Sequence, residues 1–210
     1  MNRNVILIGS YGTDKTICQA AKMSYNSNKE YTEEEDYKLL EYMIKHGHTS
    51  PFEQVNFSFK LHMPIFVARQ WMRHRTAKIN EQSGRYTKLN NEFFKLTEEN
   101  LRSNKEISPK DKNVLFKQLE DYYSSCWELY LNMLNLGVVK EQARTILPLS
   151  VYTTFVWQID LHNLMHFLEL RLNKSAQEET REYAKEVFNQ VKDICPITMK
   201  LFEKYKLCQN

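Results

Sequence analysis

The sequence predicts an α+β fold, in which a central, mostly antiparallel sheet is flanked by helices within a single domain of residues 1–210. Three observations support this class. Helical and strand patterns mix along the chain with few hairpin signals between strands. A chain of 210 residues has the length of one domain. Its composition, 42% hydrophobic and 12% aromatic, is sufficient for a sizeable core.

The first segments predict a strand, a turn and two helices. "NVILIG" is a short apolar run typical of a buried strand. "GSYGTDKT" resembles a phosphate-binding loop, but Asp14 stands where that motif requires glycine directly before the lysine, so a strand-to-helix turn is expected. A helix over residues 15–25 follows. Thr32 and Glu35 form a capping box for a second helix that ends at Gly47, and its expected apolar face consists of Leu39, Tyr42 and Met43.

The middle of the chain predicts a second strand and the longest helix. After a turn at "HTSPFEQ", "VNFSFKLHM" alternates apolar and polar side chains like a half-buried strand. Pro64 is expected to open a helix that reaches about Arg73. Residues 97–112 are polar and aperiodic, which indicates a surface loop. The longest helix is expected over residues 113–136, with an apolar face made of Leu115, Leu119, Tyr122, Cys126, Tyr130 and Leu134.

The last third predicts a strand between helices. "KEQARTIL" indicates a short helix that Pro148 ends, and "VYTTFVWQI" is β-branched and aromatic, which favours a strand. "DLHNLMHFLELRL" predicts a further helix. Ser175 and Glu178 are expected to cap a last long helix that ends near Cys195-Pro196.

Positive charge is concentrated in "RQWMRHRTAKINEQSGRYTK" at residues 69–88. The chain has 29 basic and 26 acidic residues and a net charge of only +3, which excludes a generally basic protein that coats nucleic acid. Any anion site must therefore be local. The stretch carries Arg69, Arg73, His74, Arg75, Lys78, Arg85 and Lys88 around one acid, Glu81. For the Arg-His-Arg run, an alternative is that it caps helix carbonyls and pairs with carboxylates.

The end of this stretch has the chemistry of a phosphate site. Ser83-Gly84-Arg85 predicts a backbone nest, in which glycine permits close approach, serine adds a hydroxyl donor and arginine offers a two-pronged donor. Glu81 cannot contact phosphate, but it can accept hydrogen bonds from the hydroxyls of ribose or ribityl. The pattern therefore favours a phosphorylated small molecule that bears hydroxyl groups.

The motif "RHRTAKINEQSGRY" resembles the signature of the flavin-dependent thymidylate synthases, because Arg-His-Arg is followed after seven residues by Ser-Gly-Arg-Tyr. Further blocks resemble that family in the family's order: "HTSPFEQVNFSF", "MPIFVARQWMRHR", "ARTILPLSVYTTFVW" and "NLMHFLELR". Together they span residues 48–171. The last helix, with "AQEE", is also similar.

The resemblance implies an α+β homotetramer with shared active sites, bound FAD, and the conversion of dUMP, methylenetetrahydrofolate and NADPH to dTMP. It implies that the flavin contacts Ser50, Arg73, His74, Arg75, Glu81, Asp160, Leu161, His162 and His166, with His48 and Glu53 close by. It implies that the nucleotide contacts Gln70, Trp71, Met72, Arg73, Glu81, Gln82, Ser83, Gly84, Arg85, Arg144 and Arg171. Asp160 is a departure, because the family's usual residue there is asparagine and a carboxylate lacks the amide donor.

Methylation of uracil requires that carbon 5 become electron-rich, and the residues leave two routes to compare. A thiolate could add at carbon 6, but no cysteine has the features of an activated nucleophile. Cys126 is expected in the core, Cys195 precedes Pro196 in the reverse of a Pro-Cys-His pattern, and Cys18 and Cys208 have no partnered base nearby in sequence. A cation beside the imide could favour its ionised form. Arg171 is the candidate, and the resemblance assigns it that catalytic role; the alternative is that Arg171 only complements its helix dipole. Ser83 lacks a His or Lys base and is expected to bind phosphate or the ring rather than attack.

Two other interpretations remain open at this stage. His162 and His166 are four residues apart on one helix, as in a zinc site, but Asn163 replaces the glutamate of the metalloprotease motif, and no metal is expected. An RNA-binding module could use the basic stretch with Trp71 and Tyr86 as stacking surfaces, although the low net charge counts against nucleic acid. Widely spaced cysteines and the lack of a long apolar run predict a cytoplasmic protein without a membrane segment.

Overall fold

A computed structural model describes residues 4–24 and 32–207 of the chain. Its strands are β1 (Asn4–Tyr11), β2 (Asn56–Pro64), β3 (Lys78–Glu81) and β4 (Tyr152–Asp160). Its helices are α1 (Asp14–Met23), α2 (Glu33–His46), α3 (Ile65–Trp71), α4 (Pro109–Asn135), α5 (Lys140–Ala143), α6 (Leu161–Arg171), α7 (Glu178–Lys192) and α8 (Pro196–Phe202). Short 3-10 turns at Phe52–Gln54 and Arg144–Ile146 and a π-helical turn at Glu203–Leu207 complete the described elements.

The chain divides into two compact units, and the single-domain expectation stays a prediction. The first unit comprises Met1–His62, Gln70–Asn80 and Phe155–Asn210. It contains most residues of all four strands, which form an antiparallel sheet in the order β1-β2-β4-β3. β1 pairs with β2 from Asn4↔His62 to Tyr11↔Asn56, and the register shifts by one residue between Leu7 and Gly9. The predicted α+β class with an antiparallel sheet is confirmed.

The predicted alternation of buried and more exposed side chains is observed in β2. Val55, Phe57, Phe59 and Leu61 are completely buried, and the inward-facing Phe155, Trp157 and Ile159 of β4 are at most 2% exposed. Because successive side chains of a strand point to opposite faces, this pattern fixes one covered face of the sheet. α2 also begins and ends as predicted, with the capping box at Thr32 and Glu35 and a left-handed Gly47 at φ 69°.

The prediction that "NVILIG" is a buried strand was right about the strand and wrong about its burial. Ile6 is 48% exposed and Ile8 is 51% exposed, because β1 lies at the edge of the sheet with only one face covered. Its outer edge is met by Gln190 of α7, whose amide accepts a hydrogen bond from Leu7 N and donates one to Val5 O, both at 2.9 Å. This side chain occupies backbone groups that an exposed edge strand would offer to another chain.

Several helix boundaries and faces differ from the predictions. α3 ends at Trp71 rather than near Arg73, and α2 turns Leu40, Met43 and Ile44 inward while Tyr42 is half exposed. The predicted face of α4 is buried only at Cys126 and Tyr130, and Tyr122 is exposed. These faces were wrong because apolar spacing alone does not define which side of a helix meets the core.

The end of the chain was also predicted incorrectly. α7 has Gln177, not Ser175, at its N-cap position, and Ser175 instead hydrogen-bonds Asn173. α7 is not the last helix, because Pro196 occupies the first turn of α8, where proline's fixed φ suits a helix start.

The second unit comprises Met63–Arg69 and Glu81–Thr154 and is built around α4. Tyr130 of α4 is completely buried, and its hydroxyl accepts a hydrogen bond from Leu89 N at 3.2 Å. An isolated bridge joins Phe93 to Val151, and Phe93 stacks on Tyr123 with ring centroids 4.8 Å apart. The loop predicted over residues 97–112 is observed only up to Ser108, because α4 begins at Pro109, four residues earlier than predicted, with Ser108 as its N-cap.

Asp14, which excluded the phosphate-binding loop, has a structural role in the first unit. Its carboxylate is 7% exposed and accepts hydrogen bonds from Ile197 N at 2.9 Å, from Thr198 N at 3.0 Å and from the Thr198 hydroxyl. A carboxylate at this position satisfies the first amides of α8 and complements the helix dipole. In the described residues, no helix is both long and apolar enough to cross a membrane.

We expect Asp14→Ala to lower the free energy of unfolding by about 3 kcal/mol, because buried donors at the start of α8 lose a charged acceptor. Asp121→Ala, at an exposed position of α4, is the matched control and should change stability by less than about 0.5 kcal/mol. Urea denaturation of the three proteins measures both values. Equal stability of the Asp14 and Asp121 variants would contradict the capping role.

Candidate active site

A cluster of three buried aromatic side chains lies beneath the predicted site in the first unit. Trp71, at the end of α3, lies with its ring centroid 4.3 Å from that of Phe167 on α6 and 5.2 Å from that of Trp157 on β4. All three side chains have no exposed surface. We call them the aromatic cluster. It holds the chain after Trp71 against α6, so that residues 70–75 and the end of α6 have defined positions.

Arg171, the predicted catalytic residue, is held by two acceptors from that chain segment. Its Nε donates to His74 Nε2 at 3.0 Å, and its Nη2 donates to the backbone oxygen of Gln70 at 3.0 Å. The ring of His74 also packs edge-to-face on Phe167, with centroids 4.8 Å apart. The guanidinium of Arg171 is therefore fixed in orientation at the last turn of α6.

His74 is neutral in this arrangement. Burial, the charge of Arg171 and the nearby His166 lower the pKa of His74 to about 4. Burial also lowers the pKa of Arg171 from its usual value, but an arginine stays protonated at neutral pH. Because Nε2 of His74 accepts a hydrogen bond, the proton of the neutral ring is on Nδ1.

Arg73 and Arg75, on either side of His74, keep their charges exposed. Both side chains are exposed, and neither guanidinium forms an ion pair within the described part of the chain. The alternative, in which these arginines cap helix carbonyls or pair with carboxylates, is not observed there. Both charges are therefore uncompensated there, and the local anion site stays a prediction.

A pocket of about 400 Å³ lies in the first unit and collects several residues expected near the flavin. His48, His162 and His166 line it together with Asn163 and Glu169. Its apolar lining comes from Met43, Ile44, Phe52, Met165 and Phe202. An apolar floor with a few polar groups is the usual character of a site for a small organic molecule. Ser50 and Glu53 belong to the turn that follows His48 and are exposed.

Asp160 forms the N-cap of α6. Its Oδ1 accepts from Asn163 N at 2.9 Å and its Oδ2 accepts from Asn163 Nδ2 at 2.7 Å. The carboxylate therefore replaces the expected asparagine without loss of the helix cap. Leu161 is buried, and its N–H donates to Val55 O at 2.8 Å. Neither the Leu161 amide nor its side chain remains open to a ligand.

In the second unit, the segment after β3 forms a turn rather than the predicted nest. The amide of Arg85 donates to Ser83 Oγ at 3.2 Å, and the amides of Tyr86 and Thr87 donate to Ser83 O. Of the residues predicted to form the nest, Arg85 thus has its amide engaged within the turn. Gly84 is not among the described glycines with positive φ, which a nest would have favoured.

Little space is left for a side chain at Gly84. A Cβ at this position would lie 3.1 Å from Cδ of Arg144 and 3.3 Å from the methyl groups of Leu89. Arg144 therefore packs directly over Gly84. These two residues, both predicted to contact the nucleotide, are neighbours in the structure. Upstream, Glu81 accepts a hydrogen bond from the Thr153 hydroxyl at 2.6 Å, and Gln82 N donates to Thr154 O at 2.8 Å.

Arg85, predicted as the main phosphate ligand, pairs with Glu141 through its Nε at 2.6 Å. Its guanidinium also lies 5.6 Å from the ring centroid of Tyr86. Tyr86 is 70% exposed, whereas Trp71 has no exposed surface. The alternative in which Trp71 and Tyr86 both stack on RNA bases is therefore wrong for Trp71.

The structure adds site residues that the sequence interpretation missed. Gln177 and Thr180 of α7 hydrogen-bond the side chain of Gln70, and Phe202 and Lys206 line the pocket. Nothing in the spacing of Gln177 and Thr180 indicated that contact. Phe202 and Lys206 were missed because Pro196 was interpreted as a helix end, although proline is equally a signal of a helix start. No group of three or more potential metal ligands was found among the described residues.

Three cysteines that were weighed as nucleophiles are buried thiols. Burial raises the pKa of Cys18 and of Cys195 to about 12, and it raises the pKa of Cys126. Since the thiolate is the nucleophile, a raised pKa disfavours attack on a pyrimidine. Cys208 lies outside the described residues.

We expect Cys18→Ser, Cys126→Ser and Cys195→Ser, made singly, to retain turnover within about threefold, because none of these thiols can supply a thiolate. Native protein should also resist iodoacetamide at these three positions, as mass spectrometry of peptides would show. Loss of turnover in one correctly folded variant would restore the thiolate route.

Comparisons with known proteins agree on one family. A family model described as thymidylate synthase complementing protein matches residues 6–197. The chain is 43% identical to a flavin-dependent thymidylate synthase of Borreliella burgdorferi, over 96% of this chain and 80% of that protein. It is 42% identical to a flavin-dependent thymidylate synthase of Thermus thermophilus, over 97% of this chain and 76% of that protein.

A solved structure is similar over nearly the whole chain. It is a UMP/dUMP methylase, PolB, from Streptomyces cacaoi bound with 5-Br dUMP. The TM-score is 0.89 at 26% sequence identity, with 98% of this chain and 96% of that chain covered.

Proposed function

Because the chain belongs to the family of flavin-dependent thymidylate synthases, we propose that it methylates carbon 5 of dUMP to give dTMP, with FAD as its cofactor. It is a methyltransferase. The observation that supports this chemistry best is the fixed guanidinium of Arg171, which is half-buried and hydrogen-bonded only to the neutral acceptors of His74 and Gln70 in the described residues.

The residues present fit FAD. Arg73 and Arg75 offer exposed, uncompensated cations suited to a pyrophosphate, and the pocket with His48, His162 and His166 joins an apolar floor to polar groups. These residues, with Ser50, Asp160 and Glu81, are proposed to hold the cofactor; Asp160 would do so through its backbone or as an acceptor. Leu161, which is buried with its amide engaged, would contribute only by fixing the start of α6. When bound, FAD supplies hydride transfer.

For dUMP, we propose that Arg171 lies at the imide of the uracil ring. A cation there favours the ionised imide, which delocalises negative charge to carbon 5 and makes it nucleophilic. Gln70, Trp71, Met72 and Arg73 would contact the nucleotide, the buried Trp71 through its backbone. No covalent bond to cysteine is needed, because the electrostatic effect replaces the thiolate.

The phosphate of dUMP is assigned to the turn of the second unit. Gln82, Ser83, Gly84, Arg85 and Arg144 are the proposed ligands, and Glu81 would accept from a hydroxyl. Because the amides of Arg85, Tyr86 and Thr87 are engaged within the turn, the side chains of Arg85 and Arg144 would provide the charged contacts to the phosphate. Arg85 would exchange Glu141 for phosphate, a stronger charge-assisted partner.

The remaining components of the proposal come from the family resemblance. Methylenetetrahydrofolate would donate the one-carbon group, and NADPH would supply the electrons that reduce it to methyl. Residues 1–210 would act as one catalytic domain in a homotetramer with shared active sites. We also propose a cytoplasmic location, which the free state of Cys18, Cys126 and Cys195 supports.

The purified protein should show the absorbance bands of oxidised flavin, or acquire them when FAD is added, and should convert dUMP to dTMP with methylenetetrahydrofolate and NADPH. Liquid chromatography of the nucleotides measures the product, and UMP in place of dUMP tests the sugar preference. A protein that ignores FAD and yields no dTMP would contradict the assignment.

Arg171→Ala should slow the dUMP-dependent oxidation of reduced flavin by at least about 100-fold, because an electrostatic contact to the reacting ring is lost. Reduction of the flavin by NADPH should change far less. Arg171→Lys keeps the charge but loses the planar group that both acceptors hold, and we expect an intermediate rate. Rapid mixing measures each half-reaction separately.

Arg181→Ala is the matched control, because Arg181 also donates to backbone oxygens, those of Lys174 and Ala176, on a different helix. It should leave both half-reactions unchanged. If Arg171 only complements the helix dipole, its alanine variant would behave like Arg181→Ala, with a lower melting temperature and both half-reactions intact.

A further inference from the structure

The guanidinium of Arg171 is oriented by acceptors that carry no charge. Within the described part of the chain, its hydrogen-bond acceptors are a neutral imidazole nitrogen of His74 and a backbone oxygen of Gln70, each at 3.0 Å. A carboxylate partner would hold the group equally well, but it would also cancel much of its field. Neutral acceptors fix the plane of the guanidinium and leave its positive charge for a ligand.

Both acceptors are themselves anchored. His74 packs edge-to-face on Phe167, one member of the aromatic cluster. The side chain of Gln70 hydrogen-bonds Gln177 and Thr180 of α7. Because Nε and one N–H of Nη2 are engaged, the donors left to Arg171 are the second N–H of Nη2 and both N–H groups of Nη1. Of these donors, the second N–H of Nη2 and one N–H of Nη1 are parallel at the end of the guanidinium, where they can face a single planar acceptor.

The hydrogen bond that Nε of Arg171 donates to His74 requires a particular protonation state of the imidazole. Nε2 of His74 can accept only when the ring is neutral with its proton on Nδ1, and the low pKa of about 4 keeps the ring in this form at neutral pH. A protonated ring would be a second cation 3.0 Å from the first. His74 therefore combines an acceptor with a shape that fits between Arg171 and Phe167.

We propose that the imidazole of His74 is a positioning residue for uracil activation, because its Nε2 holds the guanidinium of Arg171 in the plane that meets the imide. This inference rests on the proposed function, in which Arg171 activates the ring. It gives the side chain of His74 a task in addition to the proposed flavin contact. Loss of the acceptor would leave the charge of Arg171 in place and free its orientation.

The test uses 5-fluoro-dUMP, whose imide ionises closer to neutral pH than that of dUMP because fluorine withdraws electrons. The fluorine NMR shift of the ligand bound to the flavin-loaded protein is followed against pH. In the wild type, Arg171 should lower the imide pKa of the bound ligand below that of the free ligand. His74→Phe keeps an aromatic ring on Phe167 but removes the acceptor, and it should return the imide pKa by about one unit towards the free value.

His74→Gln separates the acceptor from the ring, since its amide oxygen reaches the place of Nε2 and cannot titrate. This variant should recover most of the wild-type shift. If His74→Phe does not fold, His74→Asn, whose amide is too short to reach Nε, takes its place. His46→Phe is the matched control at an exposed histidine of α2 and should match the wild type. Flavin content, measured by absorbance, must be equal in the proteins compared.

The outcomes separate the two proposals. A wild-type protein that leaves the imide pKa unchanged would count against uracil activation by Arg171, and the inference would fail with it. A wild-type shift that is lost in Arg171→Ala but kept in His74→Phe or His74→Asn would overturn only the role of His74. Equal loss in the Phe and Gln variants would also overturn it, because the loss would then follow removal of the imidazole rather than of the acceptor.

Discussion

The ring-to-ring contacts of Trp71, Trp157 and Phe167 are the interaction on which the position of Arg171 in the first unit depends. They join the end of α3, the strand β4 and the middle of α6 without any exposed surface. Aromatic pairs of this kind contribute about 0.5–1.5 kcal/mol each beyond the area they bury. More important here is their geometry: the chain that leaves Trp71 must run beside α6, which places acceptors beside the guanidinium of Arg171.

Arg171 in the first unit and Arg85 in the second are held by different kinds of interaction. Arg171 is oriented by neutral acceptors in a half-buried place, so its field is not compensated. Arg85 is exposed and paired with Glu141, where solvent screens the attraction and the pair contributes about 1 kcal/mol or less. A fixed cation suits a step in which charge develops on a ring. A cation that exchanges a weak partner for phosphate suits binding and release.

The sequence predicted the helices and strands better than it predicted which other elements cover them. The alternation in β2 and the capping box of α2 are local patterns, and both are as expected. The exposure of Ile6 and the engaged amides after Ser83 depend on which elements cover them, which no local pattern contains. Motif blocks predicted Arg171 and His74, but only the folded chain shows that one donates to the other, because they are 97 residues apart.

The carboxylate at position 160 shows how one substitution redistributes donors at the start of α6. An asparagine cap uses its oxygen for the helix amide and keeps an NH₂ group for a ligand. Asp160 has only oxygens, and Asn163 donates to both of them, through its backbone N–H and one N–H of its side-chain amide. The second N–H of that amide and the rings of His162 and His166 belong to side chains that line the pocket. The helix cap is thus preserved, and donation to a ligand shifts from residue 160 to these later residues of α6.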